Sequence, residues 1–310
     1  MTQTNIKKKS DIRLGTRGSQ LALWQSNWVK SELEKTGASV ELIKIKTEGD
    51  IQTGSLAQIG GQGLFTKRLQ VALLNEEIDL AVHSLKDLPT EDHPQLTIAA
   101  VPPRETVADA LVSNRFTSLQ DLPLQAIIGT GSVRRAAQIL HIRPDLEIRD
   151  IRGNVDTRLK KLDDGEYDAI ILASAGLLRL GFENRISYTF PTSELVPAVG
   201  QGALGLETRK ADSETISKLN SLNDPESFHR AMAERTMLRT LYAGCLSPVG
   251  ALTHVRNDQL HLKGAVLSHD GKHKIECEET SGLVQSDSLG QQVAEKLISA
   301  GAAQFLQDRH

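Results

Sequence analysis

Six arginines lie at turns that end predicted strands or begin predicted helices, where their side chains can reach a ligand. A guanidinium binds a carboxylate through two parallel hydrogen bonds, which the ammonium group of lysine cannot do. Any one of the six could equally be an ordinary surface residue, because exposed charge is the default for arginine. As a set they favour a ligand with several negative charges, and they are Arg17, Arg134, Arg135, Arg152, Arg158 and Arg179.

Cys245 lies in the turn Gly244-Cys245-Leu246-Ser247-Pro248-Val249-Gly250, between a long predicted helix and a run of short strands. The carboxyl end of a helix dipole raises the pKa of a nearby thiol, which disfavours a thiolate nucleophile and favours a covalent anchor. The alternative is a buried small hydrophobic residue, which is the role we expect for Cys277. Neither cysteine has the spacing of a metal site, so no metal is predicted.

Lys86 and Asp87 follow the buried strand pattern of residues 78–83, and Pro89 forces Leu88 out of helical space. In open α/β sheets, ligands bind at the carboxyl ends of strands. A carboxylate kept ionised beside a cation can stabilise a cationic intermediate or move a proton. The alternative for Asp87 is an architectural ion pair with its neighbour. His83 is expected to form a hydrogen bond at the end of the strand.

The order strand, turn and helix occurs twice with small hydroxyl residues in the turn. In the first case 12–16 is the strand and Ser19 caps the helix; in the second, 126–128 is the strand and Gly129-Thr130-Gly131-Ser132 is the turn. Each turn offers backbone N–H groups and the positive end of a helix to an anion. The alternation of strands and helices predicts parallel sheets.

The chain of 310 residues exceeds the roughly 250–300 residues at which one hydrophobic core stops growing. Pro102-Pro103 and the glycine-containing segment 191–205 mark crossings between domains. We therefore predict domain 1 over 1–102 and 203–222, domain 2 over 103–202 and domain 3 over 223–310.

Domain 3 is predicted to be of α+β type. Asp224-Pro225-Glu226 is a strong helix start, with a capping residue followed by proline at the first helical position. Three short strands are predicted after Cys245, and a last helix is predicted over 286–299. The strands form a small antiparallel sheet over 250–255, 259–267 and 272–278.

Composition excludes several classes of partner. The net charge is −3 and only 4% of residues are aromatic, which argues against a nucleic-acid surface. No apolar run approaches the roughly 20 residues of a membrane span, and the first ten residues lack the apolar region of a signal peptide. Two cysteines are typical of a reducing compartment, so a cytoplasmic protein is predicted.

Five separated motifs closely resemble the porphobilinogen deaminase, or hydroxymethylbilane synthase, family. They occur in the family's order over essentially the whole chain. The resemblance implies an α/β fold with two domains like periplasmic binding proteins around a cleft, plus the small α+β domain. The motifs are 83–90 (HSLKDLPT), 129–135 (GTGSVRR), 152–158 (RGNVDTR), 199–203 (VGQGA) and 244–250 (GCLSPVG).

The resemblance implies a monomeric transferase that joins four porphobilinogen molecules head to tail into hydroxymethylbilane and releases ammonia at each step. It implies a dipyrromethane primer bound to Cys245 through a thioether. Each porphobilinogen brings an acetate and a propionate, so the growing chain requires many cations. Asp87 matches the catalytic aspartate, which stabilises the cation left by ammonia loss and assists proton transfer.

The remaining roles follow from the same resemblance. The implied cofactor-binding residues are Ser84, Lys86, Asp87, Thr130, Ser132, Arg134, Arg135, Arg152 and Cys245. The implied substrate-binding residues are Arg17, Phe65, Arg152, Arg158, Arg179 and Gln201.

The chain departs from the family pattern at three positions. Gln58 and Gln62 stand where the family usually has lysines, and Gly131 replaces a serine. We expect retained activity with weaker binding of the carboxylates. Two other functions stay open: a non-catalytic two-lobed protein that binds small anions, and a cysteine hydrolase, for which no spacing supplies a histidine partner.

Overall fold

The computed structural model describes residues 11–45, 66–244 and 246–306. The chain forms two compact units. Unit 1 consists of Met1–His83, Asp92–Ala100 and Gly205–Asn223, and unit 2 of Ser84–Glu91, Val101–Leu204 and Asp224–His310. The three-domain division stays a prediction. Among the described helices, none combines the length and the apolar character needed to cross a membrane.

In chain order, the described elements are β1 (Ile12–Thr16), α1 (Gln20–Lys35), β2 (Val40–Lys44), α2 (Lys67–Leu74), β3 (Leu80–Ser84), β4 (Leu96–Ala100), β5 (Asp109–Val112), β6 (Ile127–Gly129), α3 (Val133–Ile142), β7 (Glu147–Arg149), α4 (Val155–Asp163), β8 (Ala169–Ala173), α5 (Ser174–Arg179), β9 (Tyr188–Thr189), β10 (Leu204–Arg209), α6 (Ser213–Leu219), α7 (Pro225–Thr240), β11 (Val249–Arg256), β12 (Gln259–Leu267), β13 (Lys274–Gly282), α8 (Ser286–Ser299) and α9 (Ala303–Leu306). The α/β class predicted from the sequence is confirmed.

Unit 1 is built on a five-stranded sheet in the order β2-β1-β3-β10-β4. Strand β1 is parallel to β2 and β3, whereas β10 is antiparallel to β4. Leu69 and Leu73 of α2 pack with Ile78 in the buried core. Strand β10, which follows the glycine-containing segment 191–205, thus returns to the sheet that contains β1. His83 is buried and its Nε2 lies 2.8 Å from Glu207 Oε2, so the predicted hydrogen bond is confirmed.

The first sheet of unit 2 repeats this arrangement in the order β7-β6-β8-β5-β9. The turn after β6 therefore occupies the same topological position as the turn after β1, and each leads into a helix capped by a serine: Ser19 for α1 and Ser132 for α3.

The expectation of purely parallel sheets is wrong for both units. Strand β5 is antiparallel to β8 and to β9, as β10 is to β4. The strands missed from the sequence are β4, β5 and β9, which have five, four and two residues. Each is short and pairs with a strand that is distant in the chain, so the local alternation of strands and helices carries no trace of it.

The C-terminal part of unit 2 contains the predicted three-stranded antiparallel sheet, in the order β11-β12-β13. Helices α7 and α8 pack on one face of it, around Met237, Leu262 and Val293. Asp224 caps α7 by accepting from Ser227 N at 2.8 Å, as predicted. The third strand runs Lys274–Gly282 rather than 272–278, because the turn closed by Ser268 N and His273 O occupies the preceding residues.

A partly buried ion network joins three strands of unit 1. Asp79, just before β3, accepts hydrogen bonds from Arg13 of β1 at 2.6 and 2.9 Å and from Arg209 of β10 at 3.0 Å. Burial alone would raise the pKa of the Asp79 carboxyl, but its hydrogen bonds to Arg13 and Arg209 outweigh burial and lower the pKa to about 2. The charged form of Asp79 is therefore stabilised by folding.

Asp79→Asn is expected to lower the free energy of unfolding by about 2 kcal/mol at pH 7. The folded pKa is depressed, so this stabilisation is complete above the unfolded value near ~3.9 and is lost as the pH falls toward 2. Urea unfolding of both proteins between pH 7 and pH 3 measures the difference. Glu32→Gln, which breaks the exposed pair with Lys35, is the control. If the stability difference between Asp79→Asn and the parent does not shrink at low pH, the lowered pKa of Asp79 is contradicted.

Candidate functional site

The turn after β3 presents two charged side chains at the carboxyl end of a strand. Residues Leu85–Asp87 form one 3-10 turn, and Leu88 is extended with ψ 126° before Pro89. The extended backbone of Leu88 was predicted from Pro89, whereas the 3-10 turn was not predicted. Arg235 of α7, which the sequence did not single out, donates to the carbonyls of Leu88 at 3.1 Å and Pro89 at 2.7 Å. Lys86 and Asp87 are thus held on a fixed backbone.

The glycine-containing turn 199–203 packs directly against this backbone. Leu85 N donates to Ala203 O at 3.0 Å. Gly200 has a left-handed φ of +69°, and a Cβ there would lie 3.1 Å from Lys86 N. A side chain at position 200 would therefore strain its own backbone and push on the turn that carries Asp87. Gly200 is therefore required for the close packing of the 199–203 turn against the turn that carries Asp87.

A buried carboxylate, Asp109 at the start of β5, joins three of the predicted site residues. Arg135 Nη2 lies 2.7 Å from Oδ1, Arg134 Nη1 lies 2.8 Å from Oδ2, and Gln201 Nε2 donates to Oδ1 at 2.9 Å. Burial alone would raise the pKa of Asp109, but the charges of Arg134 and Arg135 outweigh it and hold that pKa well below its usual range. Asp109 stays ionised, and two cations face one anion.

The three partners of Asp109 are themselves buried. Arg134 also donates to Val196 O at 2.7 Å, Arg135 to Ile171 O at 3.0 Å, and Gln201 to Val107 O at 2.6 Å. Most of their hydrogen-bonding capacity is spent inside the protein. Their contribution at the surface is a net positive charge in a region of low dielectric, where its field is strong.

Lys86 and Arg158 respond to this charge. Burial lowers the pKa of Lys86 to about 8; Arg134 and Arg135 lower it too, whereas Asp87 and Asp109 oppose the shift. Burial also lowers the pKa of Arg158 to about 10, and the nearby charges of Arg135 and Arg152 add to the effect. Cations that depress each other's pKa values share one region, and a bound anion would relieve their repulsion.

The turns around the cations are built by short polar contacts. Ser132 Oγ accepts from Arg135 N at 3.4 Å, and Thr130 Oγ1 accepts from Ser132 N at 3.2 Å. A Cβ at Gly131 would lie 3.1 Å from Ile151 O, so the position tolerates a larger residue only if its neighbour shifts. Arg152 pairs with exposed Asp150 at 2.7 Å.

A second buried ion pair supports the 199–203 turn, and no sequence motif predicted it. Arg104 and Glu234 of α7 form a two-pronged pair at 2.7 and 2.9 Å, and both side chains are almost fully buried. Glu234 also accepts from Gly200 N at 2.8 Å, and Arg104 Nε donates to Gln201 O at 2.8 Å. Glu234 is the seventh residue from the carboxyl end of α7, and nothing in the sequence of that helix distinguishes it from other residues.

The remaining predicted residues divide into three groups. Arg179 donates to Gly202 O at 2.7 Å in unit 2, and burial lowers its pKa. Arg17 follows β1 in unit 1 and is partly buried there. Cys245, Phe65, Gln58 and Gln62 lie outside the described residues, although Gly244 and Ser247, on either side of Cys245, are joined by a hydrogen bond from Ser247 N to Gly244 O at 3.0 Å.

The donor set of unit 2 fits a ligand with several carboxylates. Exposed Asp87 interacts electrostatically with Lys86 and Arg158, and these two cations also feel the charge of Arg135, with Arg152 acting on Arg158. Arg152 and Arg158 carry guanidinium groups and are only partly buried, which suits forked binding to carboxylates. Asp87 is the group in this set that can face a developing positive charge. Ser84 precedes the turn and is half-buried.

Comparison with known proteins gives matches over most of the chain. Residues 12–217 match the family model described as porphobilinogen deaminase, dipyromethane cofactor binding domain, and residues 228–299 match the porphobilinogen deaminase C-terminal domain. A porphobilinogen deaminase of Geobacter metallireducens is 47% identical over 298 residues, covering 95% of this chain and 93% of that protein. One of Pelobacter propionicus is 45% identical over 300 residues, covering 96% of each.

Among solved structures, a nutrient-binding protein from Burkholderia cenocepacia bound to methionine is similar over 70% of this chain and 93% of its own. The TM-score is 0.44 and the identity is 15%.

Asp109→Asn is expected to destabilise the protein by about 3–5 kcal/mol, because it leaves two buried guanidinium groups without their counter-charge. Asp150→Asn is the matched control, since it removes an exposed carboxylate paired with Arg152 and should cost at most about 1 kcal/mol. Thermal and urea unfolding of the two variants and the parent measure the difference. Equal, small losses would show that Asp109 does not compensate the arginines.

Proposed function

The chain belongs to the porphobilinogen deaminase family of transferases in tetrapyrrole synthesis, and on this premise we propose that it joins four porphobilinogen molecules head to tail into hydroxymethylbilane with release of ammonia. The observation that carries the proposal is the electrostatic interaction of exposed Asp87 with Lys86 and Arg158, while Arg135 acts on both of these cations and Arg152 acts on Arg158. A substrate with two carboxylates and a departing amine requires both kinds of charge in one place.

The dipyrromethane cofactor is proposed to be held by cations and hydroxyl groups of unit 2. Its acetate and propionate groups suit the guanidinium groups of Arg152 and Arg158 and the ammonium of Lys86. Ser84, Thr130 and Ser132 add hydroxyl donors. Arg134 and Arg135 contribute positive charge from their buried positions. When bound, the dipyrromethane supplies the pyrrole carbon to which the first substrate molecule is joined.

Substrate binding is proposed to use the same pairing of cationic side chains with carboxylates. Arg158 and Arg152 are shared between cofactor and substrate carboxylates, and Arg179 and Arg17 contribute further cations. Gln201 acts through Asp109, because its side chain is fully buried and hydrogen-bonded there. Phe65 is proposed to stack on the pyrrole rings.

Asp87 is proposed to be the catalytic residue. Loss of ammonia leaves a positive charge on the substrate, and a carboxylate close to the pyrrole N–H stabilises that charge while it accepts or returns a proton. Its backbone is held by Arg235 through the carbonyls of Leu88 and Pro89. A fixed turn keeps the carboxylate oriented without occupying its oxygens.

Cys245 is proposed to bind the cofactor through a thioether. Its position after the carboxyl end of α7 disfavours a thiolate that turns over, which suits a bond formed once. Cys277 is partly buried and packs against the apolar core of the C-terminal part, and burial raises its pKa. The monomeric state and the cytoplasmic location stay predictions.

Intact-mass measurement tests the tether. The full-length chain and Cys277→Ala should both be heavier than their sequences by two linked pyrrole units, whereas Cys245→Ala should have its sequence mass. An added mass that survives in Cys245→Ala would place the tether elsewhere. An unmodified parent chain that consumes no porphobilinogen would favour a non-catalytic anion-binding protein.

Asp87→Asn is expected to lower kcat by roughly 100- to 10,000-fold, because the amide keeps the shape but cannot hold negative charge or take a proton. The matched control is Glu91→Gln, an exposed acid four residues along the chain, which should leave kcat within about twofold. Turnover is measured from porphobilinogen consumption, and intact mass checks that the tethered group is retained. Comparable rates for the two variants would remove Asp87 from the reaction.

A further inference from the structure

Two histidines and a glutamate, His254, His261 and Glu278, meet on the outer face of the C-terminal sheet, and none of them belongs to the proposed cofactor or substrate site. Directly opposed residues of an antiparallel sheet share a face, and the register pairs His254 with His261 and His261 with Thr280. The opposite face packs on α7 and α8. Glu278, two residues from Thr280 on β13, lies on the same outer face.

The backbone places the two histidines together. Asn257 and Asp258 join β11 to β12, and both have left-handed φ values, 52° and 58°. A two-residue turn with both φ values positive fixes the strand register of a hairpin. His254 and His261 stand three residues before and three residues after this turn. Their pairing is therefore a property of the hairpin and not of flexible side chains alone.

The side chains offer ligand atoms at close range. The imidazole rings stack with centroids 4.5 Å apart and planes 4° from parallel. One ligand atom from each of His254, His261 and Glu278 lies within 4.8 Å of the other two. Two imidazoles and one carboxylate form a ligand set typical of Zn²⁺ sites that keep a fourth position for water. We propose that His254, His261 and Glu278 bind a divalent transition-metal ion such as Zn²⁺.

A metal binds the neutral imidazole, and the surroundings of His254 favour that form. Burial lowers the pKa of His254, and the neighbouring His261 and the charges of Arg230 and Arg256 act in the same direction, against Glu278. His261 Nδ1 lies 2.9 Å from Thr280 Oγ1. In the tautomer whose Nδ1–H donates to Thr280, Nε2 keeps its lone pair for a metal, and the hydroxyl orients the ring.

Geometry and charge limit the affinity. Tetrahedral ligands around Zn²⁺ lie about 3.3 Å apart, so the two rings must tilt toward each other from the stacked position. His254 and Glu278 are exposed, which leaves room for this rotation. Arg230 and Arg256 oppose a second cation, and Lys263 lies opposite Glu278. The site is thus weaker than a closed four-ligand zinc site and does not depend on the proposed enzymatic function.

A second pair of histidines that are near each other in the sequence, His269 and His273, does not lie on opposed positions of the sheet. His269 and His273 are four residues apart, the spacing that brings ligands together on a helix, but they lie in the turn between β12 and β13. His273 stacks on Phe305 with centroids 5.9 Å apart. His269 is exposed and belongs to the same part of unit 2, which makes it a matched control.

Zn²⁺ titration of the untagged full-length protein by calorimetry tests the proposal. The parent chain, His269→Ala and Cys277→Ala should each bind one Zn²⁺ per chain in a saturable manner. His254→Ala and His261→Ala should each weaken binding at least about 10-fold, and Glu278→Gln should weaken it less. Co²⁺ should give a tetrahedral spectrum without a thiolate charge-transfer band.

Thermal unfolding supplies an independent readout, because an ion that binds only the folded state raises the Tm. Zn²⁺ should raise the Tm of the parent and of His269→Ala, EDTA should reverse the rise, and His254→Ala should show none. Circular dichroism and porphobilinogen consumption of the exposed variants should match the parent. No saturable binding, binding unchanged in a His254→Ala/His261→Ala double variant, or an equal loss in His269→Ala would each overturn the site.

Discussion

The arrangement of unit 2 depends on one buried carboxylate. Asp109 is fully buried, and an isolated charge there would be very costly, so its partners are obligatory. They come from two places: Arg134 and Arg135 begin α3, and Gln201 belongs to the 199–203 turn. One side chain therefore fixes β5, a helix start and a loop relative to one another. That loop, in turn, is the support on which Lys86 and Asp87 lie.

Helix α7 supplies the other supports through two consecutive residues, Glu234 and Arg235. Glu234 holds Gly200 N and Arg104, and the next residue, Arg235, holds the carbonyls of Leu88 and Pro89. Each backbone group is thus paired without using the Asp87 carboxylate or the Arg152 and Arg158 guanidinium groups at the surface. Buried charges set the geometry, while exposed or half-buried charges meet the ligand. This division explains why several residues that the resemblance assigns to ligand binding are found deep in the protein.

Much of the fold was predictable because local chemistry determined it. Ser19, Asp224-Pro225 and the helix over 286–299 carry capping or periodic signals that act within one turn, and all three were confirmed. The short antiparallel strands β4, β5 and β9 were missed because their stability comes from partners distant in the chain. The same holds for the supports: Arg104 and Glu234 are 130 positions apart, and Asp109 and Arg135 are 26 apart. Asp87 and the arginines could be singled out because they sit at strand ends, but their division into buried and exposed sets required the tertiary structure.

The preference for arginine in the buried set has an electrostatic reason. Burial and neighbouring cations lower the pKa of Lys86 to about 8, so it stays mostly charged at neutral pH but with a narrow margin. Comparable influences lower the pKa of Arg158 only to about 10, and it stays charged. A lysine at position 134 or 135, where burial is deeper, would be at greater risk of neutralisation. Arginine therefore preserves the local positive field in a chain whose net charge is −3. The anion site is consequently a product of where charges are buried and not of the overall composition.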